Sequence, residues 1–185
     1  MQKESRGKSA LKSITVTALL TAFFSLSAYI HIPMTIPVTM QTFALSVCLV
    51  LMGTVRTLKM LLCYTAIGCV GLPVFSGFRA GVSVLFEPTG GYIIGFFVMT
   101  LFYGLLERCV PEFKFKNQII LLLSLLWLYL CSSIWYSAVY MQNTSGGFVQ
   151  ALLVCALPYV LPDVVKVIIA CGVAKKLKKY ISAYI

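Results

Sequence analysis

Long apolar runs alternate with short polar segments along the whole chain. The runs cover residues 13–30, 41–53, 58–72, 90–106, 118–141 and 148–174. A bilayer-spanning helix needs about 20 mostly apolar residues, so the second and third runs are short and must tilt, thin the bilayer or pack among neighbours. The pattern predicts an all-α fold: a single polytopic membrane domain over residues 1–185, with six transmembrane helices between residues 13 and 174.

Two of the three segments that connect these helices on the side away from the termini are unusually apolar. Residues 31–40 contain two prolines, and residues 72–90 mix glycine, proline and aromatic residues with two charges, Arg79 and Glu87. Segments of this composition are poorly suited to lie extended in water. We therefore expect both to be outer loops packed against the helix bundle, as a lid over it.

Two pairs of small residues predict close helix contacts. Gly91 and Gly95 are four apart in the fourth apolar run, and Ala18 and Ala22 are four apart in the first. Small residues at this spacing lie on one helix face and allow another backbone to approach closely. Each pair therefore predicts a helix-packing or docking surface.

Composition and charge support the membrane assignment and orient it. Of the 185 residues, 60% are hydrophobic and 11% are charged, and the mean hydropathy is +0.95; a soluble domain carries about 25% charged residues. Thirteen of the 15 basic residues fall in the tails, residues 1–12 and 175–185, or in the loops after the second and fourth runs, when Lys59 at the start of the third run is counted with the loop before it. Cytoplasmic loops are rich in Lys and Arg, so both termini are predicted in the cytoplasm, at the cytoplasmic (inner) membrane. The net charge of +10 needs no nucleic-acid partner to explain it.

The sequence offers no enzyme chemistry. It has one histidine, five acidic residues, no Walker A loop, and seven cysteines without a C-x-x-C pair. Metal sites and disulfide frameworks need closer, patterned spacing, so the cysteines are interpreted as small apolar residues in helix contacts. We expect no catalytic residue, no metal and no cofactor.

Asp163 and Lys166 are the most unusual residues in the chain. They lie three apart in the last apolar run, so both face one side of a helix. Each charge costs at least about 2.5–3.5 kcal/mol at the centre of a bilayer, which makes such residues functional candidates. The alternative is a mutually neutralising structural pair. The prolines at 158 and 162 predict either a new helix start in this region or a simple kink.

Further candidates lie near the outer loops. Arg79 is suited to attract an anionic ligand or close a lid, with a salt bridge to Glu87 as the alternative. Gln41 opens the second run, where it can bond an amide-like ligand or cap a helix. The aromatic residues and the hydroxyl near the second outer loop can line a pocket, with an interfacial belt as the alternative for the aromatic residues: Phe75, Phe78, Phe86, Thr89 and Tyr92.

Four stretches carry a resemblance to a known family. They are PVTMQTFAL at 37–45, IGCVGLPVF at 67–75, LFEPTGGYIIGF at 85–96 and LPDVVKVIIA at 161–170. Together with the six-helix layout, the sequence resembles BioY, the family of biotin-capturing S components of energy-coupling factor (ECF) vitamin transporters. It departs from the family pattern in the GTVRT turn after the second run and in the charges of Arg79 and Glu87.

The resemblance implies a function and its partners. The ligand would be biotin, transported and not used as a cofactor, and the partners a transmembrane coupling subunit (T component) and two ATPase subunits. Small residues on the first helix would dock to them, here Ala18 and Ala22.

The same resemblance gives the candidate residues a role toward biotin. Lys166 or Arg79 would take the carboxylate of biotin, and Asp163 and Gln41 would bond its ureido group. The rings would be buried by Phe78, Tyr92 and neighbours including Phe86 and Thr89. The alternatives are an S component for another vitamin, a facilitator or homo-oligomer that works alone, and a structural or assembly membrane protein.

Overall fold

The computed structural model is all-helical apart from one small hairpin. It describes residues 2–34, 36–140 and 147–181, with side chains between residues 11 and 180. The helices are α1 (Gln2–Tyr29), α2 (Gln41–Val70), α3 (Gly90–Cys109), α4 (Lys116–Tyr140), α5 (Gly147–Cys155) and α6 (Leu157–Ile181). Strands β1 (His31–Ile32) and β2 (Val38–Thr39) pair antiparallel, and a 3-10 turn covers Val82–Phe86. The ends of both predicted tails and of the run at 118–141 lie outside the described residues.

Helix α2 folds back on itself at Gly53. This residue has φ 76° and ψ 175°, a conformation that essentially only glycine adopts. The Gln41 side chain donates a hydrogen bond of 2.9 Å to the Tyr64 hydroxyl, although a straight helix would hold these residues about 35 Å apart. Residues 41–52 and 54–70 are therefore two limbs of a helical hairpin, and they correspond to the second and third apolar runs.

The number of candidate membrane-crossing helices differs from the predicted number. By length and composition, five helical stretches among the described residues can cross a bilayer, with α2 counted once and α5 joined to α6. The predicted all-helical membrane fold is confirmed, whereas the predicted number of six is not confirmed by this criterion.

Helices α3 and α4 pack through the predicted glycine pair. A Cβ on Gly91 would lie 2.6 Å from the Cβ of Trp135, and one on Gly95 would lie 2.6 Å from a methyl group of Leu128. Real Cβ atoms essentially never approach so closely. Gly91 also faces the Cα atom of Ser132 at 2.9 Å and therefore requires glycine, whereas at Gly95 the Leu128 methyl group can shift. The expected close helix contact is confirmed, and it fixes α3 beside the core helix α4.

The two outer loops are packed, as their composition predicts. Ile36 in the first loop and Phe75 and Val84 in the second are each at most 2% exposed. The hydroxyl of Tyr159 on α6 donates to the carbonyl of Ile36, and the ring of Tyr29 on α1 stacks on the second loop. Both segments are therefore held down on the same end of the bundle.

The last apolar run is broken, and the break precedes the prolines. Helix α5 ends at Cys155 and α6 begins at Leu157, so Pro162 lies inside α6 and does not start a helix. The amide of Tyr159 bonds Ala156 rather than Cys155. The carbonyl of Cys155 instead accepts a hydrogen bond from the Tyr92 hydroxyl. A side chain of α3 thus satisfies a backbone group that the break releases.

Candidate functional site

A buried ion pair lies at the centre of the site. Asp163 is 3% exposed, and the Lys166 ammonium lies 2.8 Å from its Oδ1. The same ammonium donates to the carbonyl of Thr39 at 2.7 Å and lies 3.4 Å from the Thr42 hydroxyl. An ammonium has three donors, so these three acceptors satisfy Lys166.

Hydroxyl donors from two other helices complete the carboxylate's surroundings. Thr42 at the start of α2 donates to Oδ1 of Asp163 at 2.8 Å, and Tyr129 on α4 donates to Oδ2 at 2.8 Å. Hydrogen bonds to charged groups are worth roughly 1.5–3 kcal/mol each. The cluster therefore joins α2, α4 and α6 through one buried charge.

Gln41 lies beside this cluster and is 5% exposed. Its amide nitrogen donates to the Tyr64 hydroxyl at 2.9 Å, and its amide oxygen accepts from the Thr39 hydroxyl at 3.3 Å. The fold-back of α2 produces this arrangement, because it brings residue 64 next to residue 41. The amide is thereby held facing the space under the outer loops.

A small cavity lies between these groups and the outer loops. Its volume is about 30 Å³, close to the share of one water molecule in the liquid. It is lined by Ile36, Pro37, Thr39, Gln41, Tyr64, Phe75, Ser76, Val84, Thr89, Tyr92, Ile93 and Phe96. Small-molecule sites usually enclose about 300–1,000 Å³. A larger ligand therefore requires the covering loops to move outward.

The structure brings some of the predicted site residues together and separates others. Gln41, Thr89 and Tyr92 line the cavity. Asp163 and Lys166 do not line it, and Lys166 reaches it through the carbonyl of Thr39, which does. Phe78 and Phe86 do not line it, since they are 64% and 63% exposed.

The two exposed rings pack against helices outside the cavity. Phe78 has a positive φ of 58° and stacks on Tyr29 with ring centroids 4.3 Å apart. The ring of Phe86 packs against the ring of Trp135 on α4 in a tilted arrangement.

Arg79 lies at the rim of the cavity. Its Nη1 pairs with Glu87, so the salt bridge that the sequence left open as the alternative is present. Its Nη2 donates to the Thr89 hydroxyl at 3.0 Å, and its Nε donates to the carbonyl of Ser76 at 3.0 Å. The guanidinium thus ties together three positions of the second outer loop.

Sequence reasoning missed several residues of the site. Thr42, Tyr64, Tyr129 and Tyr159 all donate or accept hydrogen bonds there, and none was a candidate. The contact of Thr42 with Asp163 spans 121 positions along the chain. One signal was available for Thr42, because it directly follows Gln41 at a helix start.

The predicted docking residues lie on a different face. Ala18 and Ala22 are exposed on α1 and line an apolar groove of about 770 Å³ between α1 and the second limb of α2. Lys59 lies in the same groove. The groove is separate from the cavity, since no residue lines both.

The fold and site define a class: a helical membrane protein with a buried, mostly apolar cavity that holds a few polar groups and is covered by two packed loops. Within the described residues, no group of three or more His, Cys, Asp or Glu side chains could hold a metal. Residues 1–183 match the family model described as "BioY family". The chain belongs to the BioY family.

Individual relatives agree with the family match. A protein of Pyrococcus horikoshii named "Probable biotin transporter BioY" is 31% identical over 90% of this chain and 96% of its own length. "Biotin transporter BioY2" of Lactococcus lactis is 32% identical over 77% of this chain and 84% of its own. "Biotin transporter BioY" of Thermotoga maritima is 28% identical over 91% and 97%.

A solved structure has the same fold. The crystal structure of the S component for biotin from an ECF-type ABC transporter superposes with a TM-score of 0.80 over 93% of each chain, at 23% identity. At this identity the likeness establishes the shared fold.

Proposed function

We propose that this protein captures biotin and carries it across the membrane as the S component of an ECF-type transporter. The observation that carries the proposal is the buried Asp163 cluster, placed against a lidded cavity in a member of the BioY family. Biotin is proposed as the ligand because these relatives are named as biotin transporters or probable biotin transporters.

Biotin's chemistry suits the groups that surround the cavity. Its ureido N–H groups need acceptors, which Asp163 and the amide oxygen of Gln41 provide, and its ureido oxygen needs donors such as the amide nitrogen of Gln41. Its apolar rings fit the aromatic walls formed by Tyr92 and Phe96. A few placed polar groups in an otherwise apolar pocket are the usual design of a small-molecule site.

The valerate carboxylate of biotin needs a cation, and Arg79 is the better candidate. The three donors of Lys166 already have acceptors, and removing it from Asp163 would leave a buried charge unpaired. Arg79 lies at the rim, where the acid tail of a ligand with its ureido group at Asp163 would end. In this proposal Lys166 positions Asp163, and Arg79 contacts the ligand.

Capture would be conformational and involve no covalent step. A cavity of about 30 Å³ admits biotin only when the segments at residues 31–40 and 72–89 move away from the bundle. Phe78 and Phe86, which are exposed, would contact the ligand only in such a rearranged loop. The contacts that hold these segments closed are those of Tyr29, Arg79 and Tyr159.

The proposal includes a topology with six crossings and both termini in the cytoplasm. The fold-back at Gly53 supports it, since each limb of α2 then crosses separately. A cysteine-free chain with a single cysteine at Ser83 should react with an impermeant maleimide in intact cells, and one with a single cysteine at Glu112 should not. The opposite pattern, or labelling of both, contradicts this topology.

The partners would be a T component and two ATPase subunits, docked on the groove that contains Ala18 and Ala22. Ala18→Trp should abolish co-purification of the T component while biotin binding persists. Leu19→Trp is the matched control, because Leu19 is 66% exposed on the opposite side of α1. Unchanged co-purification in the Ala18 variant would favour a different docking face or a homo-oligomer that works alone.

The test of function is equilibrium binding of labelled biotin to the purified chain, alongside Asp163→Ala. Saturable binding that this substitution abolishes is the expected result. Lys175→Ala is the control, since Lys175 is an exposed cation of the same helix. If the folded wild-type protein binds another vitamin and not biotin, that vitamin would replace biotin as the proposed ligand. Absence of all binding, with the Asp163→Lys and Lys166→Asp double variant tolerated, would indicate a structural role.

A further inference from the structure

The second outer loop contains a hydroxyl that has no hydrogen-bond partner. Ser76 is 7% exposed and lines the cavity, and its Oγ is buried without a partner among the described residues. A buried hydroxyl without a partner is costly, and such a group in a native cavity calls for an explanation. A ligand atom that accepts a hydrogen bond from Ser76 would provide one.

The same stretch of chain holds a cation that already binds a carboxylate. Arg79 bonds the Ser76 carbonyl through Nε and the Thr89 hydroxyl through Nη2, and its Nη1 pairs with Glu87. Thr89 lines the cavity with Ser76. The guanidinium is therefore fixed at the cavity rim by two neutral groups, and its remaining partner is an acid of the protein itself.

We propose that Glu87 is an internal stand-in for the carboxylate of the ligand, and that Ser76 and Arg79 form the subsite that the ligand's carboxylate takes over. The proposal rests on the proposed function, because it assigns the acid end of a captured biotin. On binding, the carboxylate would accept from the guanidinium and from Ser76, and Glu87 would be released to solvent.

The exposure of the pair suits an exchangeable contact. The side chains of Arg79 and Glu87 are each 34% exposed, and ion pairs open to solvent are weak. Asp163 and Lys166 differ in this respect, since their side chains are 5% and 12% exposed. Exchange of one carboxylate for another at Arg79 leaves no charge unpaired in a buried position.

An internal competitor has a measurable consequence. Removing the charge of Glu87 should tighten the binding of a ligand that carries a carboxylate, and should leave an uncharged analogue unaffected. Removing the Ser76 hydroxyl should weaken the binding of the charged ligand more than the binding of the uncharged one. If the loop is only a structural cover, each substitution should change the affinities for both ligands by the same factor.

The experiment compares biotin with biotinamide, which has a neutral tail, on the purified full chain. Glu87→Gln should bind biotin about threefold more tightly with biotinamide unchanged. Ser76→Ala should bind biotin about tenfold more weakly, with a smaller change for biotinamide. Arg79→Gln should remove the preference for biotin over biotinamide.

Matched controls separate the subsite from general effects. Glu112→Gln removes an acid that is 89% exposed and paired with Lys116, and Ser83→Ala removes an exposed hydroxyl of the same loop. Both should leave the two affinities unchanged, and tryptophan fluorescence should report intact folding.

The outcomes separate the two proposals. Equal shifts for biotin and biotinamide in the Ser76, Arg79 and Glu87 variants would overturn the subsite and leave biotin capture standing. Failure of the folded wild-type chain to bind either compound would overturn both. Should one variant fold poorly, the remaining two still decide, because each predicts a different change in the ratio of the two affinities.

Discussion

Replacing Lys166 with methionine should destabilise the protein far more than loss of one surface charge. Methionine keeps an unbranched chain of similar length and removes the ammonium. Asp163, 3% exposed, then loses its ion-pair partner at 2.8 Å and keeps only the hydroxyls of Thr42 and Tyr129. Breaking a buried pair by removing one partner costs about 3–5 kcal/mol.

The cost should be largely recovered when the second charge is removed as well. Asn in place of Asp163 has the same shape; its amide oxygen accepts from one of the two hydroxyls of Thr42 and Tyr129, and its NH2 group donates to the oxygen of the other. Replacement of a whole buried pair is often close to neutral, so the double variant should lie within about 1 kcal/mol of wild type. The second substitution would then recover about 2–4 kcal/mol of the stability lost in Lys166→Met.

Thermal unfolding in detergent, followed by the fluorescence of Trp127 and Trp135, measures this. Lys166→Met should lower the unfolding temperature by on the order of 10 °C, and the double variant should restore most of it. Lys175→Met, an exposed position on the same helix, should have little effect. A single variant as stable as wild type, or a double variant less stable than the single, would refute the neutralising role of the pair.

Three further substitutions test other parts of the structure by the same unfolding assay. Tyr129→Phe removes a donor to Asp163 and should cost about 1.5–3 kcal/mol, along with weaker biotin binding; an unchanged affinity would exclude this hydroxyl from the site. Gly68→Ala places a Cβ 2.2 Å from the Phe75 ring and should cost about 1–3 kcal/mol. Gly53→Ala meets no atom within 4 Å, so a loss of about 1–3 kcal/mol would report backbone strain alone; Gly172→Ala, in regular helix with equally open space, should be neutral or stabilising.

The helices could be predicted from the sequence because they depend on local composition. Apolar runs predicted the helical stretches and the separation of residues 41–53 from 58–72, and the spacing of Gly91 and Gly95 predicted a face that packs closely against another helix. The charged pair was equally visible, since residues three apart share a helix face. Each of these features involves residues that are close along the chain.

The remainder of the site depends on contacts that composition does not encode. Tyr129 lies 34 positions before Asp163 and Thr42 lies 121 positions before it, so only the packed bundle brings them together. The aromatic residues of the second outer loop also depend on contacts that composition does not encode. Phe78 and Phe86 have the composition of pocket residues, but the positive φ at Phe78 and the contact of Phe86 with Trp135 place both rings on the outside.

The position of the cavity follows from where the backbone is interrupted. Backbone groups without internal partners are tolerated at membrane depth only where protein buries them or where they line a cavity. The loop before α2, the loop before α3 and the gap between α5 and α6 all release such groups, and side chains of other helices donate to them: Lys166 to Thr39, Tyr159 to Ile36, Trp135 to Glu87 and Tyr92 to Cys155. Because these interruptions lie at one end of the bundle, they concentrate polar side chains there. A ligand with hydrogen-bonding groups would exchange for some of these contacts, which is why capture and loop movement are expected to be one event.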